Sequence, residues 1–110
     1  MAREAPSSYT LARMKYEIIF APEAIEDRQR LAARDRAAVR DAIEQHLRHE
    51  PEKVSKSRIK RLRGLEKPQY RLRVEEIRVF YDVSGDRVEI ISIIPKNGAE
   101  QWLREKGEPS

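Results

Sequence analysis

The chain contains no cysteine, and none of its apolar runs approaches the ~20 residues that a membrane-crossing helix needs. The first absence excludes a disulfide framework and any thiolate metal site, so the fold does not depend on an oxidising compartment. The second argues against a membrane helix, and no membrane partner is expected. The start Met1-Ala-Arg-Glu-Ala-Pro also lacks the apolar core of an export signal, which points to a cytoplasmic protein. Glycine is scarce, with four residues in 110, and no glycine-rich phosphate loop is present. No histidine accompanies a plausible serine nucleophile, and no pair of acids sits in apolar surroundings. A chain of 110 residues is one domain, large enough to bury a core alone and too short for a two-domain enzyme.

Charge is abundant, 38% of the chain, and it is unevenly placed. Between Pro51 and Val74 nine basic residues face two acidic ones, whereas the remaining chain is slightly acidic. A basic segment on an acidic body fits a nucleic acid or an acidic protein partner, and also fits a solvated face.

Residues 1–14 mix proline, serine, alanine and charge without a period and read as a disordered leader, with Met14 a second candidate start. Lys15 to Phe20 is short, β-branched and aromatic, and is expected to be a strand ending at Ala21-Pro22. A helix from Pro22 to about Ala32 follows, with Pro22 at the first helical position, where its missing N–H costs nothing. A second helix, about Arg34 to Glu50, carries the stripe Val39, Ala42, Ile43, His46 and Leu47 and stops at Pro51. Neither helix is apolar all round, so the helical hairpin must lay its stripes on a sheet.

The second half supplies that sheet. Ile59 to Leu62 is a weak strand. Gln69 to Val74 alternates strictly, with Tyr70, Leu72 and Val74 on one face and Arg71 and Arg73 on the other. Glu75-Glu76 is a two-residue reversal or part of a longer loop. Ile77 to Val83 alternates again, Ser84-Gly85-Asp86 is a turn, and Arg87 to Ile94 is the most apolar strand, ended by Pro95. A short helix from about Gly98 to Lys106 carries Trp102 and Leu103. The expected fold is α+β: an N-terminal strand, a helical hairpin on one face of a mainly antiparallel sheet of four or five strands, and a short C-terminal helix. The domain runs from 15 to 106, with 107–110 a tail, and the face opposite the hairpin is left open.

A two-residue reversal sets Val74 opposite Ile77, Arg73 opposite Arg78 and Arg71 opposite Phe80. Opposed arginines repel, and a bound anion relieves that repulsion. Arginine holds phosphate bidentately, and Phe80 offers a ring on which a base can stack; an ordinary salt-screened face is the alternative. Lys96 could reach the same face, and neighbouring arginines disfavour its charged form. Trp102 fits a packing role better than a stacking platform. His46 and His49 lie three apart without further ligands, so His46 reads as a stripe residue, His49 as exposed, and no metal or cofactor is expected.

The run Leu62-Arg63-Gly64, Tyr70-Arg71-Leu72-Arg73-Val74, Ile77-Arg78-Val79-Phe80-Tyr81-Asp82-Val83 and Ile93-Ile94-Pro95-Lys96 resembles the RelE/ParE superfamily of bacterial toxins from type II toxin–antitoxin pairs. The resemblance spans Lys15 to Lys106. Its RelE branch implies a metal-independent endoribonuclease that cuts mRNA in the ribosome by driving a ribose 2′-hydroxyl onto the adjacent phosphate. The family's basic catalytic positions match Arg71, Arg73, Arg78 and Lys96, and its aromatic position falls at Trp102. RNA and ribosome contacts are expected along Lys56, Arg58, Lys60, Arg61 and Arg63 and at Phe80. Two departures stand out. Arginines occupy the places of lysines, one of them the proposed general base, and arginine does not give up its proton usefully. Trp102 replaces a tyrosine and has no hydroxyl. The resemblance implies that Arg71 and Arg73 orient phosphate while Lys96 protonates the leaving oxygen. It also implies an antitoxin whose acidic amphipathic segment covers the basic face, with operator DNA met only through that antitoxin. ParE-type relatives, which inhibit DNA gyrase, and a degenerate toxin that only binds antitoxin and co-represses transcription are the alternatives.

Overall fold

The computed structural model describes residues 15–110. The leader expected at 1–14 lies outside the described residues. The elements run β1 (Glu17–Phe20), α1 (Pro22–Arg30), α2 (Ala33–Leu47), β2 (Ile59–Arg61), β3 (Leu65–Lys67), β4 (Tyr70–Val74), β5 (Ile77–Ser84), β6 (Arg87–Pro95), α3 (Lys96–Lys106) and β7 (Glu108–Pro109). Five strands form one sheet in the order β1-β6-β5-β4-β2, parallel only between β1 and β6. The α+β architecture therefore agrees with the sequence pattern.

Strand alternation places Tyr70, Leu72, Val74, Ile77, Val79 and Tyr81 on the face that joins Val39, Ile43 and Leu47 of α2 in the core. Tyr81 is fully buried, stacks on Tyr70 at 5.3 Å between ring centroids, and donates its hydroxyl to the Pro51 carbonyl at 2.7 Å. That bond ties the loop after α2 to the sheet, and burial pushes the phenol well above its ordinary pKa. The reversal at Glu75-Glu76 is the two-residue turn, and it holds Glu75 at φ 54, a left-handed conformation that glycine or asparagine adopts more easily.

The bounds differ from the sequence pattern at three helix ends. Helix α1 stops at Arg30, where the Leu31 N–H turns back to the Arg28 carbonyl at 3.1 Å. Helix α2 stops at Leu47 rather than Glu50, because the Arg48 carbonyl turns to accept the Tyr16 N–H at 2.7 Å. Helix α3 begins directly at Lys96, with Pro95 as its N-cap. The expected tail at 107–110 instead supplies β7, which pairs with β3 in a separate two-stranded sheet.

A β-bulge changes the pattern of β6. Phe80 pairs with Ser92 but Tyr81 pairs with Ile90, so Ile91 is the extra residue. Beyond it the two faces exchange: Ile93 enters the core and Ser92 joins the side of Phe80. Strand β1 pairs with β6 only as far as Ile90. From there α1 closes the edge. The Asp27 carboxylate, 7% exposed, accepts the Ile93 N–H at 2.9 Å and the Ser92 hydroxyl at 2.6 Å. A sheet edge with a free N–H inside the protein is costly, and this carboxylate removes it.

Candidate nucleic-acid cleft

The sheet face opposite the helical hairpin is not open. Helix α3 crosses it, and Trp102 stacks on Phe80 with ring centroids 5.0 Å apart and planes 11° from parallel. Phe80 is fully buried as a result, so the ring expected to receive a base is already occupied. Trp102 takes the packing role, and its indole N–H donates to Glu23 of α1 at 3.0 Å. The stack forms because the bulge leaves Phe80 on this face while the amphipathic α3 needs an apolar seat.

Between α3 and the exposed ends of β2, β4 and β5 lies a cleft of about 890 Å³. Lys60, Arg71, Arg78 and Lys96 line it, together with Glu76 and Glu100. The observed register pairs Arg71 with Phe80 and Arg73 with Arg78, as counted from the turn, and the β2–β4 pairing sets Lys60 opposite Arg71. Arg73 is exposed beside the cleft rather than among its lining residues.

The guanidiniums are under electrostatic load. Burial first, then Arg78 and Arg73, hold Arg71 below the ordinary arginine pKa. Burial and Arg73 do the same to Arg78, partly offset by Glu76. Both remain charged at neutral pH, since arginine starts far above it. Arg78, 8% exposed, donates to the carbonyls of Glu75 at 2.9 Å and Ile77 at 3.1 Å, which stiffens the turn that carries it. The Nε of Arg71 is buried with no hydrogen-bond partner among the described residues. Orphaned, mutually repelling donors of this kind favour an anion.

Lys96 is exposed at the first turn of α3, and its backbone N–H is held by the Glu76 carbonyl at 2.8 Å. No side chain caps this helix start and no acid lies in its first turn, so the positive end of the helix dipole adds to the cleft's field.

The basic segment does not act as one surface. Lys60 alone of Lys56, Arg58, Lys60, Arg61 and Arg63 lines the cleft. Arg61 lies across Tyr70, 5.1 Å from its ring centroid, and donates to the Gln69 carbonyl at 2.8 Å. Arg58 sits beside His46 and Lys53 on the hairpin side, while Arg63 borders a separate notch near Gly64 and Ser110. Lys56 is exposed on the loop after α2. Within β2 the period of 2 turns Lys60 and Arg61 to opposite faces, while Lys56, Arg58 and Arg63 lie outside the strand and are placed by the loops on either side of it. His46 is half-buried and His49 exposed. Among the described residues no group of three or more His, Asp or Glu could hold a metal ion.

Glu76, Glu100 and the contact from Glu23 to Trp102 were not singled out from sequence. Glu100 had a legible signal, since it lies four residues after Lys96 and shares its helix face once the helix starts at Lys96.

A helical hairpin thus lies on one face of this sheet and an arginine-lined cleft under a C-terminal helix on the other. Residues 18–99 match the family model described as ParE toxin of type II toxin-antitoxin system, parDE. The chain belongs to this family. It is similar to the toxin–antitoxin complex RelBE2 from Mycobacterium tuberculosis, with TM-score 0.61 and 25% identity, over 74% of this chain and 98% of that one. It is also similar to the YoeB/ParE toxin from Agrobacterium tumefaciens, with TM-score 0.58 and 25% identity, over 72% and 96% of the two chains. A RelB–RelE complex from Methanococcus jannaschii shares the fold at TM-score 0.59 and 19% identity, over 77% and 98%. No curated protein matches the chain. No helix among the described residues is long and apolar enough to cross a membrane.

Proposed function

We propose that this toxin is a cytoplasmic endoribonuclease that cuts mRNA on the ribosome. The observation that carries the reading is the convergence of Lys60, Arg71, Arg78 and Lys96 on one cleft in which the Arg71 Nε has no protein partner. In this reading Arg71 and Arg78 grip the phosphate beside the scissile bond, with Arg73 adding charge from the rim. They stabilise the extra negative charge of the phosphorane-like transition state. Lys96 gives its proton to the departing 5′-oxygen. Trp102 serves the site by holding α3 over Phe80 rather than by stacking on a base. The exposed Lys56, Arg58, Arg61 and Arg63 meet ribosomal phosphates outside the cleft. An antitoxin neutralises the protein through an acidic amphipathic segment complementary to these cations; two of the similar structures above are toxin–antitoxin complexes.

The test is toeprinting of a defined mRNA in a translating extract. The wild-type protein is expected to produce discrete cuts only in ribosome-bound mRNA. Arg71→Ala and Arg78→Ala are expected to lose them while keeping the circular dichroism of the parent. Intact mRNA at protein concentrations that arrest growth would overturn the reading.

The match to a ParE family model favours one rival, inhibition of DNA gyrase. A supercoiling assay separates the two: loss of gyrase activity with intact mRNA supports the rival.

A further inference from the structure

Arginines in place of lysines leave the cleft with strong anion donors and no obvious proton acceptor on the strands. The cleft does contain acceptors, and they come from elsewhere. Its lining carboxylates are Glu76, on the β4–β5 turn, and Glu100, on α3. Glu76 lies beside Arg78 and supports its charged form. The Glu100 side chain makes no hydrogen bond or ion pair among the described residues, so its carboxylate is not committed to holding the fold.

We infer that Glu100 is the general base of the cleavage reaction, paired with Lys96 as general acid; this inference rests on the endoribonuclease reading above. Lys96 and Glu100 are four residues apart on α3, which puts their Cβ atoms about 6 Å apart on one helix face. Both line the cleft that Arg71 and Arg78 supply with positive charge from the sheet. A phosphate gripped by those arginines would lie against this face of α3, within reach of an acceptor and a donor one helical turn apart. A carboxylate meets the chemical requirement that arginine fails, because at neutral pH it is already the proton-accepting form.

The Glu100 carboxylate takes the proton of the ribose 2′-hydroxyl. The 2′-oxygen then forms its bond to the adjacent phosphorus as the bond from phosphorus to the 5′-oxygen breaks. The electron pair of that bond stays on the 5′-oxygen, which takes a proton from the Lys96 ammonium. The products are a 2′,3′-cyclic phosphate and a 5′-hydroxyl, and proton exchange with water restores Glu100 and Lys96. The cleft that Glu100 lines is also lined by Lys60 from β2, Arg71 from β4, Arg78 from β5 and Lys96 from its own helix, with Glu76 the other carboxylate.

The test compares wild type, Glu100→Gln and Lys96→Ala in single-turnover cleavage of ribosome-bound mRNA. Two substrates are used, the natural linkage and one with sulfur in place of the bridging 5′-oxygen. Sulfur leaves without protonation, so only the acid becomes dispensable. On the natural linkage both variants are expected to lose on the order of 10²- to 10⁴-fold in rate with unchanged half-saturating ribosome concentration. On the sulfur linkage Lys96→Ala recovers and Glu100→Gln does not. A merely structural role for Glu100 would not produce this split. If Glu100→Gln cleaves the natural linkage at the wild-type rate, or is rescued by sulfur as Lys96→Ala is, the base assignment falls and the endoribonuclease reading stands. If wild type cleaves neither substrate, the reading falls and takes the base with it.

Discussion

Trp102 lies flat on Phe80, 5.0 Å between ring centroids, and anchors its indole N–H on Glu23 at 3.0 Å. The contact joins three elements distant in sequence: α1, β5 and α3. It holds the helix that carries Lys96 and Glu100 against the sheet that carries Arg71 and Arg78.

Trp102 is the chain's sole tryptophan, so its fluorescence reports this contact directly. Glu23→Ala is expected to shift the emission to longer wavelength and to cost about 1 kcal/mol, the value of a partly solvated hydrogen bond to a charged group. Trp102→Ala should cost about 2 kcal/mol in urea unfolding, less than a fully buried tryptophan, because the indole is half-buried here. Unchanged emission in Glu23→Ala would show that the carboxylate does not hold the indole.

Asp27 is expected to be the most sensitive polar position of the fold. Its Oδ2 accepts both the Ser92 hydroxyl and the Ile93 N–H, and its Oδ1 meets Arg30 at 3.0 Å. Asp27→Ala strands two donors at the bulge and should cost about 3 kcal/mol, whereas Ser92→Ala, which removes one donor, should cost about 1 kcal/mol. Hydrogen exchange at the Ile93 amide checks the mechanism. It should accelerate in Asp27→Ala and remain slow in Ser92→Ala.

Glu75 occupies the left-handed region at φ 54 with its side chain exposed. Glu75→Gly relieves strain of about 1 kcal/mol but adds unfolded-state entropy that offsets about half of it, so the net gain is expected to be a few tenths of a kcal/mol. A thermal melt checks it, and a lower melting temperature would contradict the strain.

Burial, and secondarily Arg58, hold the His46 imidazole below its ordinary pKa. The folded protein therefore binds fewer protons at His46 than the unfolded chain between the two pKa values. Stability rises with pH across that window and is lost as pH falls from the unfolded value of about 6.5 through the depressed one. His46→Gln should flatten this part of the profile. Arg58→Ala should raise the His46 midpoint seen by NMR titration, and no movement would exclude Arg58 as a cause.

The strand pair at the heart of the cleft was legible because its alternation is strict and its turn is short. Tyr70, Leu72 and Val74 could face only one way, and a two-residue reversal admits one register, which the structure shows. Phe80 was legible only in part. Its face followed from period 2, but its burial depends on α3, whose path no local pattern describes. The exchange of faces at Ile91 had a signal that went unused: Arg87-Val88-Glu89-Ile90 alternates, and Ile91-Ser92-Ile93 continues the alternation one residue out of phase.

By itself the sequence determined the β4–β5 strand pair and, given a two-residue reversal, its register and the opposed Arg73 and Arg78, because side-chain period and turn length are local properties of the chain. Only the tertiary structure decided that Lys60, Arg71, Arg78 and Lys96 share a cleft with Glu100 while Arg58 and Arg61 do not, and that Phe80 is covered. Those outcomes rest on contacts among Glu23, Asp27, Phe80, Ser92 and Trp102, whose meeting depends on how helices and sheet pack, and packing is a property of the whole fold.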